Sequence, residues 1–310
     1  LVEWRREPVG IFPFHLNGDG ILDLLVLSSR DAPSVFIGSS SGEWKEVAKD
    51  SVVRKSFLKG VGTDRLGLVE NANSPSDEIL ISGKGFVRSA IWEKDDFKVT
   101  RQFNSEDQSK ELYVPQWLDM DKDGADELYA YHSGGYWERL SGGFKGGSIK
   151  IGTDKSMIRP LQSSVIHSEE WEILLSLGTS GFQILTHSDS ENFGIKVESR
   201  YLTDLPGVRY NGIEWGDFNG DGLDDLVCLD GRKNLLEFLS FDASQKTLSS
   251  LMHFQIFEQN MHYQGKKGGM YEPREGLVLD LNGDLLDDLV LLIHDRLLCY
   301  YQLGLSLIHI

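Results

Sequence analysis

Short apolar runs alternate along the chain with polar turns rich in Gly, Asn, Asp and Ser. The run Leu226–Leu229, for example, is followed by a polar turn at 230–234 and by a second, largely apolar run at 235–239. Runs of this length bounded by turn residues are typical of β-strands joined by hairpins. No stretch keeps apolar residues at helical spacing for a dozen positions, so we expect few helices. The hydrophobic pattern therefore predicts an all-β protein.

Six copies of one unit divide the chain, and each contains an acidic loop between two apolar stretches. The last acidic positions of the six loops are 23, 78, 127, 172, 225 and 288. The copies that end at 78 and 172 keep their apolar flanks but have lost most side-chain oxygens. A period of about fifty residues, with roughly four strands in each, is the size of one β-propeller blade. The repeat predicts a single propeller of four-stranded blades.

The domain boundaries follow from the repeat. We expect residues 1–304 to form a partial propeller that is truncated at both ends. The last six residues, 305–310, resemble translated adapter sequence, and we interpret them as a non-native read-through tail.

The acidic loops carry oxygen side chains at positions 1, 3, 5 and 9, with Gly at position 6 in most copies. Ca²⁺ binds six to eight hard oxygen ligands, and a tight turn is needed to aim alternate side chains inward. Glycine supplies the positive φ of that turn. An EF-hand does not fit, because its closing Glu stands at position 12 and its loop joins helices. A plain hairpin turn is the alternative for one copy, but three intact acidic sets at regular spacing favour calcium.

Three loops are predicted to bind Ca²⁺, and a fourth is left open. The predicted ligands are Asp119, Asp121, Asp123 and Glu127 in the third copy, Asp217, Asn219, Asp221 and Asp225 in the fifth, and Asp280, Asn282, Asp284 and Asp288 in the sixth. Leu285 stands where the sixth loop should have Gly, which predicts a distorted or weaker site. In the first copy His15 replaces the first Asp, and Asn17, Asp19 and Asp23 remain as candidate ligands.

The segment Trp215–Val227 resembles a near-consensus FG-GAP repeat, which is also called the VCBS repeat. The resemblance covers nearly all of residues 1–304, strongly in four copies and weakly in two. It implies the propeller found at the amino end of integrin alpha subunits, with seven blades when complete. It also implies that the calcium loop joins the first and second strands of a blade, and that ligands meet the opposite face.

The amino-acid composition of the chain limits the classes of partner that it could bind. The chain has 310 residues, 31 Lys and Arg against 48 Asp and Glu, and a formal net charge of −17. This balance argues against nucleic acid, which attracts basic surfaces, and against anionic membranes. No apolar run reaches the length needed to cross a bilayer, so we expect no direct membrane insertion. The two cysteines, Cys228 and Cys299, lie in apolar runs and are interpreted as buried free thiols.

These features favour a calcium-stabilised, non-enzymatic binding or adhesion module of an exported protein, located outside the cell, on its surface or in the periplasm. The expected partners are a protein or an acidic glycan, together with other domains of a larger parent chain. The candidate ligand-binding residues are Arg209, Tyr210, His262, Tyr263, Tyr271 and Arg274. Two alternatives stay open: an enzyme similar to propeller polysaccharide lyases, although no catalytic constellation is recognisable, and a purely structural spacer. The Gly-x-Ser-x-Gly match at 38–42 lacks a following helix and is interpreted as a turn.

Overall fold

The structure is a computed structural model. It describes residues 8–28, 31–47, 54–55, 58–69, 76–140, 149–151, 158–167, 172–187, 195–256, 275–293, 296–303 and 306–309. Within these ranges it contains 24 β-strands and one 3-10 turn, Thr63–Arg65. No helix in this part of the chain is long and apolar enough to cross a membrane.

The strands form six four-stranded sheets, and in each sheet strands that are consecutive in the chain are neighbours. The first sheet contains β1 (Pro8–Phe14), β2 (Asp23–Ser28), β3 (Ser34–Gly38) and β4 (Trp44–Glu46). The second contains β5 (Leu66–Val69), β6 (Glu78–Gly83), β7 (Phe86–Glu93) and β8 (Asp96–Asn104). The third contains β9 (Leu112–Leu118), β10 (Glu127–His132), β11 (Tyr136–Leu140) and β12 (Ile149–Ile151).

The remaining sheets follow the same order. The fourth contains β13 (Pro160–His167), β14 (Glu172–Gly178), β15 (Gly181–His187) and β16 (Ile195–Leu202). The fifth contains β17 (Gly212–Gly216), β18 (Asp225–Asp230), β19 (Leu235–Asp242) and β20 (Thr247–Gln255). The sixth contains β21 (Glu275–Leu279), β22 (Asp288–Ile293), β23 (Arg296–Leu303) and β24 (Ser306–His309).

Six such sheets are the blades of a β-propeller, so the predicted fold class is confirmed. A seventh blade in a complete chain stays a prediction. The structure pairs β24 with β23 as the outer strand of the sixth blade. Residues that the sequence analysis sets apart as a tail therefore take part in the sheet.

The chain divides into two compact units. One consists of Leu1–Leu177 and Leu185–Val197, and the other of Gly178–Ile184 and Glu198–Ile310. The first three blades lie in the first unit, the fifth and sixth lie in the second, and the boundary passes through the fourth blade.

The burial of each strand depends on its place in the blade. The second strands are almost wholly buried, and every residue of β14 and β18 is buried. Strands covered on both faces have continuous apolar sequences instead of alternating ones, which explains the runs that define the repeat. The fourth strands lie at the edge, where β4 is fully exposed and β20 mostly so. Blade packing through the second and third strands thus supplies most of the apolar core.

Candidate functional site

The four well-preserved loops occupy equivalent places in their blades. Each follows the first strand and precedes the second, so that it spans 15–22, 119–126, 217–224 or 280–287. Position 9 of the motif is in every case the first residue of the second strand, namely Asp23, Glu127, Asp225 or Asp288. This is the placement that the family resemblance implies.

The loop of the fifth blade is folded around the carboxylate of Asp217. One oxygen, Oδ1, accepts the backbone N–H groups of Gly220 at 2.6 Å and Asp221 at 3.2 Å, and Oδ2 accepts that of Gly222 at 2.8 Å. Asn219 in turn accepts the N–H of Asp221 at 2.8 Å. These bonds fix a tight turn between the first and second strands of the blade.

The loop of the sixth blade repeats this pattern in spite of Leu285. Asp280 accepts the N–H groups of Gly283 at 2.6 Å, Asp284 at 3.1 Å and Leu285 at 3.0 Å. Leu285 takes φ +68, close to the φ +81 of its counterpart Gly222, and its side chain is 91% exposed. A leucine in the left-handed region is strained. The loop keeps its hydrogen bonds, and the strain stays local to this exposed residue.

Position 9 differs between the blades. In the first blade Asp23 is buried and accepts two backbone N–H groups, those of Leu16 and Gly38, each at 2.9 Å. Asp288 does the same in the sixth blade with Leu281 and Gln302, each at 3.0 Å. These two carboxylates tie their loops to the end of the third strand.

Asp225 in the fifth blade is the exception. Its side chain is 1% exposed, yet its Oδ2 atom has no hydrogen-bond partner. Burial, together with the charges of Asp221 and Asp217, raises the pKa of Asp225 to about 6. A buried carboxylate oxygen without a donor is costly. The negative charges of Asp221 and Asp217 also act on this carboxyl group, and a bound cation would offset that repulsion.

The loop of the third blade gathers three carboxylates. Oxygens of Asp119, Asp121 and Asp123 all lie within 4.8 Å of one another. The fourth predicted ligand, Glu127, points instead to Arg139, with Oε1 at 2.8 Å from Nη1, and its Oε2 accepts the Tyr129 hydroxyl at 3.3 Å. Burial raises the pKa of Glu127, although Arg139 lies beside it.

The first loop is held differently. The Nδ1 atom of His15 lies 3.2 Å from the backbone oxygen of Ile21, so the imidazole closes the loop through a carbonyl. Asn17 donates to Asp19 at 2.9 Å, so two of the three remaining candidate ligands are hydrogen-bonded to each other.

The predicted ligand-binding residues are not brought together in the described part of the chain. Arg209 is exposed, and its backbone N–H donates to Asp230 at 2.7 Å. Tyr210 is only 2% exposed, and its hydroxyl donates to Glu237. It belongs to the core of its unit and not to an exposed surface. His262, Tyr263, Tyr271 and Arg274 lie outside the described residues.

Glu237 is a buried acid that the sequence analysis does not single out. Its carboxylate is 1% exposed and accepts four side-chain hydroxyls, from Tyr201, Tyr210, Thr203 and Ser250. Burial and the bond to Glu237 hold the pKa of both tyrosines well above the ordinary value. Its signal in the sequence is an acidic residue in the middle of an apolar run, which is rare unless the residue is paired.

A second cluster lies at the other end of the third blade. Tyr113, at the start of β9, is 8% exposed, and two guanidinium carbons lie over its ring, that of Arg159 at 4.4 Å and that of Arg65 at 5.1 Å. Arg65 also binds Glu111 at 2.6 Å, and Arg159 lies 3.6 Å from Asp64. The acidic loop begins after the other end of β9, about 20 Å away at the usual rise per residue of a strand.

The backbone beside this cluster is unusual. Val114 takes φ +43, which is a rare conformation for a β-branched residue. The pairing of β9 with β10 shifts register between Tyr129 and Tyr131, opposite this point. Strained residues of this kind often accompany binding sites. We name Arg65, Tyr113 and Arg159 the arginine–tyrosine cluster.

Comparisons with known proteins support the fold alone. No family model matches the chain, and no curated protein matches it. Among solved structures, a lectin from Agrocybe aegerita that recognises non-reducing terminal N-acetylglucosamine has 13% identity and a TM-score of 0.57, with 97% of this chain and 78% of that chain covered. BBS1N, in complex with ARL6DN, has 8% identity and a TM-score of 0.53, with 91% and 73% covered. A candidate 6-phosphogluconolactonase from Bacteroides uniformis has 12% identity and a TM-score of 0.53, with 90% and 77% covered.

The first prediction concerns Glu237. Replacing it with alanine leaves the two tyrosine hydroxyls without their acceptor, so we expect Glu237→Ala to lower the free energy of unfolding by about 3 kcal/mol. Glu237→Gln keeps one acceptor oxygen and should lose less. Urea unfolding followed by tyrosine and tryptophan fluorescence measures both. A Glu237→Ala variant within 1 kcal/mol of the parent would contradict a stabilising network.

The second prediction concerns the pH dependence of Asp225. Its folded pKa of about 6 lies above the ordinary 3.8, so the charged form is disfavoured in the folded protein. Without divalent cations, the stability that this group contributes is complete below pH 3.8 and is lost as the pH rises through 6. The parent should therefore lose roughly 2–3 kcal/mol relative to Asp225→Asn between pH 4 and pH 7.

A control of opposite sign lies in the same blade. Hydrogen bonds from Ser244 and Gln245 lower the pKa of Asp242, so the contribution of that group is lost as the pH falls. We expect Asp225→Asn and Asp242→Asn to change the pH dependence of the free energy of unfolding in opposite directions. Denaturant unfolding in a chelator at several pH values measures this. Parallel curves for the parent and Asp225→Asn would rule out the assignment of a raised pKa.

Proposed function

We propose that this chain is a calcium-stabilised binding propeller of the FG-GAP or VCBS type. The observation that carries the proposal is the buried, unpartnered Oδ2 of Asp225 beside Asp217 and Asp221. A divalent cation with a preference for oxygen would satisfy this atom and offset the repulsion between the carboxylates. The donor set consists of hard oxygens only, which suits calcium better than transition metals.

The residues that would hold the cation differ from blade to blade. In the fifth blade they are Asp217, Asn219, Asp221 and Asp225, and in the third Asp119, Asp121 and Asp123, with Glu127 after release from Arg139. In the sixth blade Asp280, Asn282 and Asp284 stand in the same loop fold. When bound, the cation supplies positive charge that links the loop to the start of the second strand. The first loop is the weakest candidate, because His15 is engaged with Ile21.

The functional consequence is stability in a calcium-rich compartment. Calcium modules outside the cell commonly bind in the range of 10⁻⁴ to 10⁻³ M. We therefore place the protein outside the cytosol, as a binding or adhesion module attached to further domains, without catalytic activity of its own.

The third prediction is that calcium raises the melting temperature. A ligand that binds only the folded state stabilises it by about 2.7 kcal/mol per site at a hundredfold excess over Kd, so Ca²⁺ should raise Tm by several degrees above the value in chelator. Asp221→Asn should remove part of this shift. Asp242→Asn, at the end of β19 and outside the acidic loop 217–224, should leave the shift in Tm unchanged. A melting curve that is the same in calcium and in chelator would refute structural calcium sites.

The ligand surface that we propose is the arginine–tyrosine cluster. Arginine presents several donors to a carboxylate or sulfate, and both guanidinium groups pack over the buried Tyr113 ring, which holds them in place. Of protein and glycan ligands, this chemistry favours an acidic oligosaccharide. The structural neighbours are compatible with either class, since one is a lectin and another is in complex with a protein. Because the acidic loop lies about 20 Å away along β9, a calcium ion there would not contact the ligand. It would act on this surface only by stabilising the blade.

The fourth prediction tests this surface. The double variant Arg65→Ala and Arg159→Ala should bind acidic oligosaccharides at least about tenfold more weakly, because two charge-assisted contacts are lost. Arg88→Ala is the matched control, since Arg88 also lies over a ring, that of Phe86 at 4.4 Å, but within β7 of the second blade. Uronic-acid and sulfated oligosaccharides on an array, followed by calorimetry, provide the measurement. Equal affinities of the double variant and the parent would exclude the cluster, and binding of acidic peptides alone would favour a protein partner.

A further inference from the structure

Three acidic loops are bonded to the following blade in the same way. The backbone N–H at the first position of the loop donates to a carboxylate of the next blade. His15 donates to Asp77 Oδ2 at 2.6 Å, Asp119 to Glu172 Oε2 at 3.0 Å, and Asp217 to Asp287 Oδ2 at 2.8 Å. Both members of each pair lie in the same compact unit. The first pair is reciprocal, because the N–H of Asp77 donates back to the His15 carbonyl at 2.8 Å.

The three acids lie at the start of a second strand or one residue before it. Asp77 and Asp287 immediately precede the second strand of their blades, and Glu172 is the first residue of such a strand. Two of them, Asp77 and Glu172, belong to the copies whose own loops have lost most side-chain oxygens. In these two blades the acid accepts an N–H of the preceding loop, although its own loop has few side-chain oxygens.

The contact between the fifth and sixth blades is close. A Cβ atom added at Gly216 would lie 2.6 Å from Val278 Cγ1 and 3.1 Å from Asp287 Oδ2, so only glycine lets the chain approach this carboxylate. The next residue is Asp217, whose carboxylate organises the loop by accepting three backbone N–H groups. Asp287 thus holds the backbone of the residue on which the loop is built.

We propose that Asp287 is a positioning residue for the cation loop 217–225, and that Asp77 and Glu172 have the same role for the loops 15–23 and 119–127. The conformation of each loop then depends on hydrogen bonds within its own blade and on one hydrogen bond to the following blade. This inference rests on the proposed calcium function for its consequence, since cation binding in one blade would depend on the next. The hydrogen bond itself does not require calcium.

Three substitutions can distinguish the hydrogen bond that Asp287 accepts from the effect of its negative charge near the loop. Asp287→Asn keeps an oxygen that can accept the Asp217 N–H but removes the charge, whereas Asp287→Ala removes both. Asp224→Ala is the matched control, because Asp224 lies in the loop at the position equivalent to Asp287, interacts electrostatically with Asp287 and Asp217, and is exposed. It removes a nearby charge and leaves the Asp217 N–H bond in place.

The fifth prediction is measured by hydrogen exchange on the whole chain, with the peptide that covers 215–224 as the reporter. In chelator, the Asp217 amide should exchange at least about tenfold faster in Asp287→Ala than in the parent, because it loses its hydrogen-bond acceptor. Asp287→Asn and Asp224→Ala should stay within about threefold. On titration with Ca²⁺, the midpoint of protection of this peptide should rise about tenfold for Asp287→Ala, and less for Asp287→Asn.

The outcomes separate the two proposals. If the parent peptide gains no protection with Ca²⁺, the calcium function fails, and the comparison in chelator still decides the positioning role. If Asp287→Ala has the exchange rate and the calcium midpoint of the parent, the positioning role is overturned while calcium binding stands. If Asp287→Asn exchanges as fast as Asp287→Ala in chelator, the effect comes from charge, and the inference is likewise overturned.

Discussion

The acceptance of backbone N–H groups by side-chain carboxylates is the interaction on which this structure depends. The first Asp of a loop folds the turn, the acid at position 9 ties the loop to the end of the third strand, and an acid of the next blade holds the start of the loop. Hydrogen bonds to ionised acceptors are about twice as strong as neutral ones. The acidic residues therefore have structural roles before any cation binds.

This arrangement explains which features the sequence could predict. The spacing of Asp and Asn at alternate positions, followed by an apolar run, depends only on local chain geometry. The loops, the second strands and the repeat period were therefore predictable from residues close together in the chain. The exchange of Gly for Leu285 is a local change too, and its effect is confined to an exposed residue.

The other features depend on residues that are far apart in the chain. Asp287 bonds to a residue 70 positions away, and Arg65 reaches Glu111 over 46 positions. The partners of such side chains are set by blade packing, which no local pattern encodes. Tyr210 shows the same limit: the sequence predicts it as a ligand-binding residue, whereas its side chain is buried and donates to Glu237.

The two ends of the third blade have different chemistry, and this difference bears on function. Carboxylates cluster after β9, at Asp119, Asp121 and Asp123, while arginines surround Tyr113 at its start. A cation at one end cannot touch a ligand at the other, so any effect of calcium on binding must pass through the position of the strand. β9 is suited to this, since Val114 holds a strained conformation and the adjacent register shifts. Because related folds carry unrelated activities, our proposal of a calcium-dependent binding module rests on this pairing of ends within one blade and not on the propeller fold alone.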